Sequence, residues 1–175
     1  EQQGSFARYR DVDGDGVPQR TLPGNEHPMA PYFARGSGHD DQARYSEDEK
    51  VYKDTLDRSR RKHETARSYV PKPWLEAQPN VNVGVICFGS SYEAVREARD
   101  RLRVAGMETN HLLLRALPLT AEVREFVVAH ETVYLMEQNR EGEMAAMLRE
   151  AYPEFATRVA SIPIYDSLLA TAGEN

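Results

Sequence analysis

Residues 80–175 predict an α/β domain with a mainly parallel, open sheet and flanking helices. Short apolar runs alternate with amphipathic stretches of helical period, and the connections between them are short. Strands separated by helices imply right-handed crossovers, and therefore parallel strands. The first eighty residues differ, because they hold most of the glycines and prolines.

The segment Val81–Phe88 predicts the first buried strand, because it is rich in β-branched and aromatic residues. It stops at Gly89. Ser90 stands three residues before Glu93, the spacing of a capping box, in which each side chain satisfies a free backbone donor. The pattern therefore predicts a strand, a tight turn and a helix over about residues 91–105.

The same unit is predicted to repeat towards the end of the chain. Further strands are expected at His111–Arg115, Thr132–Glu137 and Arg158–Ile162, with helices at Ala121–Ala129, N-capped by Thr120, and near Glu141–Ala151.

Residues 1–46 have glycine and proline every few positions and predict an extended arm. Residues 47–79 predict a long connecting helix and a proline-rich linker, and residues 80–175 form the α/β domain. Ser46 and Glu49 have capping-box spacing at the helix start. The predicted stripe is the row of residues at helical spacing on one side of this helix: Tyr52, Leu56, Ser59, His63, Ala66 and Val70. Because serine and histidine interrupt its apolar residues, the helix is predicted to lie on a surface.

Composition argues against several classes of partner. A net charge of −6 and a pI near 5.4 argue against nucleic acid, which requires clustered cations. No segment resembles a signal peptide and no apolar run approaches ~20 residues, so we expect no membrane partner and a cytoplasmic location. The chain begins at Glu1 without methionine. We interpret it as a piece of a longer protein.

The sequence argues against a metal site or an iron–sulfur cluster bound by this chain. The single cysteine, Cys87, lies in a predicted buried strand and is interpreted as a small core residue. The histidines show no ligand spacing with one another or with Cys87, so no metal site is expected. The segment Asp11–Gly16 resembles the first half of a calcium loop, but Leu22 stands where a bidentate acid should close it. A tight Asx turn is preferred.

The stretch after that turn presents one arginine on a stiff loop. Pro18, Pro23 and Gly24 restrict the backbone around Arg20. A guanidinium binds a carboxylate with two parallel hydrogen bonds, so this loop suits anion recognition. A surface salt bridge of Arg20 is the alternative explanation.

Two further stretches combine polar groups that could contact a substrate or another chain. Arg35 and His39 lie among aromatics, glycines and aspartates, and a histidine side chain can serve as acid, base or hydrogen-bond donor. A loop tip packed on a neighbouring chain would explain the same residues. Gln138 and Asn139 follow the third predicted strand, at the edge where parallel sheets bind ligands. An exposed polar loop explains them equally well.

Taken together, these stretches resemble a known family. The segments Tyr9–Gly24, Tyr32–Asp40, Arg115–Leu119 and Glu137–Gly142, in this order and spacing, look like the carboxy-terminal part of the alpha subunit of 2-oxoacid:ferredoxin oxidoreductases. The 2-oxoglutarate-type enzymes look most similar, and the resemblance covers nearly the whole chain.

The resemblance implies an enzyme that oxidatively decarboxylates a 2-oxoacid with thiamine diphosphate and Mg²⁺. Electrons would pass through an iron–sulfur cluster to ferredoxin, and the acyl group to coenzyme A. The pyrophosphate end of the cofactor and the cluster would belong to the beta subunit, which is the expected partner. The α/β half would be a transketolase-C-terminal-like domain that serves structure and interface.

The resemblance also implies that Arg20 binds the carboxylate of the 2-oxoacid, and that this fragment is inactive alone. Arg35, His39, Gln138 and Asn139 would contact the active site or a subunit boundary. Many relatives have a Thr-Lys or Thr-Gly pair where this chain has Pro28 and Met29. The alternative is a non-catalytic interaction module that docks a partner through its acidic arm and sheet edge.

Overall fold

The computed structural model describes residues 6–31 and 38–165. The chain divides into two compact units, residues 1–69 and residues 70–175, and each is described by itself. None of the helices in these described ranges combines the length and apolar character that crossing a membrane requires.

The first unit consists of the arm and helix α1, Glu49–Ala66. The helix starts later than its predicted cap, because Asp48 takes the N-cap position and its carboxylate accepts a hydrogen bond from the amide of Val51 (3.0 Å). The predicted Ser46–Glu49 capping box is therefore wrong. Ser46 accepts a hydrogen bond from the amide of Asp48 instead.

No residue of α1 is buried, in agreement with the predicted surface position. The orientation differs from the expectation, because Tyr52 and Leu56 of the predicted stripe are about half exposed (50% and 52%). The partly buried residues of α1 are Val51, Thr55, Arg58, Thr65 and Ala66, and of these only Ala66 belongs to the predicted stripe. Thr55, Arg58 and Thr65 form the face that contacts the arm. It is polar because it contacts the backbone of the arm and not an apolar core.

The second unit contains a five-stranded sheet in the order β1-β3-β2-β4-β5. All neighbouring strands are parallel except β1 and β3, so the predicted mainly parallel, open sheet is confirmed. The strands are β1 Trp74–Glu76, β2 Val83–Phe88, β3 Asn110–Leu114, β4 Thr132–Glu137 and β5 Val159–Pro163.

Three helices connect the parallel strands: α2 Tyr92–Val104, α3 Ala121–Ala129 and α4 Glu143–Ala151. One face of the sheet packs with α3 and α4 into a single apolar core. Gly84 permits the close approach, because a Cβ there would lie 2.6 Å from the ring of Phe126. The core comprises Ile86, Leu112, Leu114, Leu119, Val123, Phe126, Val127, Val133, Leu135, Ala145, Leu148 and Val159.

On the opposite face of the sheet, α2 lies over part of β2 and the side towards β1 and β3. There Arg99 of α2 pairs with Glu76 of β1, and Tyr92 stacks on His111 of β3 (5.8 Å between ring centroids). Across β2, β4 and β5 the same face is apolar and partly exposed. We call this surface the open sheet face; it comprises Val85, Tyr134, Met136, Ala160 and Ile162.

Strand β1 is absent from the sequence-based prediction, which assigned these residues to a proline-rich linker. It is three residues long and follows Pro71 and Pro73, so it lacks the length and alternation that identify a strand. The strand is defined by its pairing with β3, and this tertiary contact leaves no pattern in the local sequence.

The predicted Ser90–Glu93 capping box is wrong as well. A short 3₁₀ turn, Gly89–Ser91, separates β2 from α2, and Ser91 takes the N-cap position without capping by its side chain. The hydroxyl of Ser91 instead donates to the carbonyl of Phe88 (2.7 Å). Thr120 does precede α3 in an extended conformation, as predicted, but its side chain makes no cap hydrogen bond either.

Candidate functional site

The arm places Arg20 just after a tight turn formed by residues 11–16. The carboxylate of Asp15 accepts a hydrogen bond from the amide of Val17 (2.8 Å), which is the predicted Asx turn. Gly14 and Gly16 both have positive φ (77° and 81°), a conformation that residues with a Cβ rarely adopt.

Helix α1 holds this turn through its polar face. The hydroxyl of Thr65 donates to the carbonyl of Asp15 (2.6 Å), and Arg58 donates to the carbonyl of Gly16 (3.1 Å). A Cβ on Gly16 would lie 2.2 Å from the amide nitrogen of Lys62, so the two backbones are in direct contact. The turn is therefore fixed to the helix four residues before Arg20.

A third contact joins Asp11 to Arg61, whose Nη2 lies 3.0 Å from Oδ2. Burial of Asp11 opposes its ionisation, but the hydrogen bond from Arg61 and those from the backbone of Gly16 and Gly14 outweigh it. The pKa of this carboxyl is therefore lowered. Asp15 thus uses its carboxylate within the turn, and Asp11 uses one carboxylate oxygen to contact α1. Among the described residues there is no cluster of three His, Cys, Asp or Glu that could hold a metal ion.

The side chain of Arg20 is exposed, and within the described residues it makes no hydrogen bond or ion pair that would occupy its guanidinium. The surface salt bridge considered above is therefore not observed in that part of the chain. Immediately after it, the hydroxyl of Thr21 donates to the carbonyl of Ala30 (3.0 Å). We call residues 17–30 the arginine loop.

A cavity of about 500 Å³ adjoins the arginine loop. Its lining is mainly apolar; it is formed by Thr21, Leu22, Pro23, Gly24, Asn25, Ala30 and Pro31. Arg20 immediately precedes the first lining residue, Thr21, and an apolar concavity can accommodate the aliphatic part of a small carboxylate.

His39 belongs to the same unit as Arg20. Its Nδ1 donates to the carbonyl of Asp40 (3.1 Å), and its ring stacks on Tyr9 (3.9 Å between centroids). The imidazole is therefore held in one orientation by the arm itself. Arg35 lies outside the described residues.

Gln138 and Asn139 lie at the carboxyl edge of the sheet, in the second unit. The hydroxyl of Ser90 donates to Oε1 of Gln138 (2.8 Å), which joins the ends of β2 and β4. Asn139 directs its side chain inward, where its Oδ1 accepts hydrogen bonds from the amides of Gly142 (2.7 Å) and Glu143 (3.1 Å). Asn139 thus stabilises the start of α4, and Gln138 is the exposed member of the pair.

Beneath them lies a fully buried carboxylate, Glu137. It accepts hydrogen bonds from the amide of Met144 (2.8 Å), from Asn139 (3.1 Å) and from the hydroxyl of Ser161 (2.7 Å). A negative charge at the first turn of α4 also interacts favourably with the helix dipole. Glu137 is the last residue of a buried strand, and from that position in the sequence its side chain could equally be buried or exposed.

Cys87 and His111 form a buried pair that their spacing in the sequence does not indicate. Sγ lies 3.1 Å from Nε2, because the two residues lie on neighbouring strands. Burial raises the pKa of Cys87 to about 12 and lowers that of His111 to about 4, so both groups are neutral near pH 7. Since neither is exposed, a substrate cannot reach them, and Cys87 is the core residue that the sequence predicted.

Arg20 is a candidate from its sequence context, but its supports, Arg58, Thr65 and Thr21, are not. The only sequence signal for the first two is Gly16, which marks a close backbone approach without naming the partner. Arg58 and Arg61, which belong to a run of basic residues in α1, both contact the arm.

No family model matches the sequence. It is 28% identical over 149 residues to subunit alpha of 2-oxoacid:ferredoxin oxidoreductase 2 from Aeropyrum pernix. That alignment covers 82% of this chain but 22% of the relative, so the chain spans about a fifth of that protein's length.

The fold aligns with 2-oxoglutarate:ferredoxin oxidoreductase from Magnetococcus marinus, solved with 2-oxoglutarate, coenzyme A and succinyl-CoA bound. The TM-score is 0.75 at 22% identity, over 98% of this chain and 29% of that chain. A split-gene transketolase aligns over 54% of this chain and 32% of its own, with a TM-score of 0.46. The chain is therefore similar to part of the alpha subunit of a 2-oxoacid:ferredoxin oxidoreductase, which confirms the resemblance inferred from its motifs.

Proposed function

We propose that the chain is the carboxy-terminal part of the alpha subunit of a thiamine-diphosphate-dependent 2-oxoglutarate:ferredoxin oxidoreductase. The reaction converts a 2-oxoacid and coenzyme A into acyl-CoA, CO₂ and a proton, and two electrons reduce ferredoxin. The relatives support the reaction class. The observation that supports a role for this fragment is the exposed Arg20 on a loop that is fixed at both ends.

In this proposal Arg20 binds the carboxylate of the 2-oxoacid. Its five N–H donors lie in one plane and match two carboxylate oxygens, a geometry that an ammonium group cannot reproduce. Binding costs less when the loop is already ordered, and the contacts of Gly16 and Thr21 order it before the substrate arrives. The apolar lining of the adjoining cavity suits the methylene groups of the substrate.

The described residues are not suited to hold the cofactors themselves. They contain no cluster of carboxylates for Mg²⁺, and one buried cysteine in the whole sequence cannot ligate an iron–sulfur cluster. Thiamine diphosphate supplies the carbanion chemistry when it is bound elsewhere in the enzyme, and the beta subunit is the proposed holder of cofactor and cluster. The fragment alone is then inactive, and it acts in the cytoplasm with ferredoxin and coenzyme A as substrates of the assembly.

A second proposed role is a subunit interface. Parallel sheets are normally covered on both faces, yet the open sheet face leaves Tyr134 39% exposed at its centre. Another part of the enzyme would bury this apolar surface. Gln138 and His39, with Arg35 and Asn139 beside them in sequence, are proposed contacts with the active site or with another subunit.

The test is Arg20→Lys in the full-length alpha subunit, assembled with its partner subunits and assayed for ferredoxin reduction with 2-oxoglutarate. The change keeps the positive charge but removes bidentate binding, so KM should rise about tenfold or more while assembly is intact. Arg44→Lys, an exposed arginine of the same unit, is the matched control and should leave KM unchanged.

An unchanged KM in Arg20→Lys would reject the substrate role of Arg20. An assembled enzyme without any 2-oxoacid-dependent electron transfer would favour the alternative, a non-catalytic interaction module.

A further inference from the structure

The hydroxyl of Thr21 occupies the base of the arginine loop. It donates to the carbonyl of Ala30 (3.0 Å) and accepts a hydrogen bond from Nη1 of Arg8 (3.5 Å). Ala30 is 9% exposed and is one of the few buried residues of its unit. Through its hydroxyl, Thr21, the residue next to Arg20, is therefore linked to the buried backbone of Ala30.

The other hydrogen bonds of the loop are local. The amides of Asn25 and Ala30 donate to the carbonyls of Leu22 and His27, the amide of His27 donates to Asn25 Oδ1 (2.9 Å), and that of Met29 donates to His27 Nδ1 (3.1 Å). These bonds shape the interior of the loop but do not join its ends. The contact between Thr21 and Ala30 is the one that closes it.

We propose that Thr21 is the positioning residue of Arg20, an inference that rests on the function proposed above. Only residues 17–20 separate the Gly16 contact with α1 from Thr21, and Pro18 restricts the backbone between them. Anchors on both sides fix the Cα of Arg20, and a bidentate contact depends on that placement. If the Thr21 anchor is lost, the carboxylate is bound less well in the ground state and the transition state alike.

The experiment uses the full-length alpha subunit assembled with its partner subunits, with 2-oxoglutarate as substrate and ferredoxin reduction as readout. Thr21→Val keeps the shape of the side chain and removes the hydroxyl. KM should rise about threefold to tenfold, the value of one hydrogen bond, and kcat should stay within about twofold. Thr21→Ser retains the hydroxyl and should restore the KM of the unmodified enzyme.

A double mutant identifies the route of the effect. In an Arg20→Lys background, Thr21→Val should raise KM by less than twofold, because both residues act through the same guanidinium. A full additional increase in this background would overturn the proposal. So would a Thr21→Val enzyme with lower thermal stability and an unchanged KM, because the residue would then be purely structural.

The remaining outcomes separate the positioning role of Thr21 from the substrate role of Arg20. If Arg20→Lys raises KM and Thr21→Val does not, the positioning role fails and the function proposed for Arg20 stands. If neither change alters KM, the substrate role of Arg20 fails first. Should Thr21→Val not assemble, Thr21→Ala provides the same measurement. If Val and Ala both fail to assemble while Ser succeeds, Thr21 is a folding residue and the proposal is rejected.

Discussion

The two units of this chain are stabilised in different ways. The second unit buries twelve apolar residues in one core, with Leu135 and Val133 fully inaccessible. Among the described residues of the first unit only Ala7, Gly16 and Ala30 are buried, and its shape depends on hydrogen bonds and ion pairs with α1.

This difference has a consequence for the candidate site. Burial of a large side chain contributes about 1.5–3 kcal/mol, whereas a hydrogen bond contributes about 0.5–1.5 kcal/mol and an exposed ion pair less. The unit that holds Arg20 therefore depends on a few contacts that are individually weak. We expect changes in the first unit to alter placement of the loop, and changes in the second to alter stability.

The largest expected effect is in the core of the second unit. Leu135→Ala removes a fully buried side chain from the central packing of β4 and should cost about 2–5 kcal/mol of unfolding free energy. Urea denaturation of the 175-residue chain measures this. Leu56→Ala in α1, where the side chain is 52% exposed, is the control and should change stability by less than about 0.5 kcal/mol. Equal effects would remove the distinction between the units.

A smaller but still large effect is expected in the turn before Arg20. Gly16→Ala introduces a Cβ 2.2 Å from the amide nitrogen of Lys62 at positive φ, and should cost about 2–4 kcal/mol. Gly14→Ala has a similar φ (77°) but no atom within 4 Å, so only about 1 kcal/mol is expected. Amide hydrogen exchange over residues 11–17 distinguishes the two. Similar exchange in both variants would contradict the contact with α1.

The smallest expected effect concerns the protonation of Asp11. Its pKa is lowered in the folded chain, so its contribution to stability is complete above the unfolded value of about 4. That contribution is lost as the pH falls through the folded value. The protection of the amides of residues 11–17 against hydrogen exchange, corrected for the intrinsic pH dependence of exchange, should therefore fall as the pH decreases below about 4 in the unmodified chain.

Asp11→Asn should abolish this acid-dependent change, because the residue no longer titrates. Asp13→Asn, at an exposed neighbour in the same turn, is the control and should retain it. A pH dependence that persists in Asp11→Asn would assign the effect to another carboxyl.

The α/β half was predictable because its buried faces require apolar residues at the regular spacing of a helix or in the short runs of a strand. Strand β4 and helix α3 have the bounds that their apolar patterns predict, and the other elements of that half differ by a few residues. Strand β1 and the caps at Ser90 and Ser46 were not predictable. In each case a tertiary or shifted local hydrogen bond overrides a pattern of a few residues.

The candidate site was predictable in part. The residue type and the stiff loop make Arg20 a candidate, because proline and glycine restrict the backbone locally, and its role in binding stays a prediction. Its supports could not be found in the same way, since Thr65 and Arg58 lie 50 and 42 residues from their partners, the backbone carbonyls of Asp15 and Gly16. The stripe of α1 was misassigned for a related reason: its inner face contacts polar backbone, so hydrophobicity does not mark it.

The two lateral strands of the sheet also affect how the second unit can associate. Strand β1 has three residues and follows Pro71 and Pro73, and β5 ends at Pro163. Short strands beside prolines offer few amide hydrogens to an added strand. Pairing of a further strand at either edge would therefore form few backbone hydrogen bonds. The unit is thereby protected against edge-to-edge aggregation even where other copies are concentrated. Stable contacts with other polypeptides are left to its faces and loops.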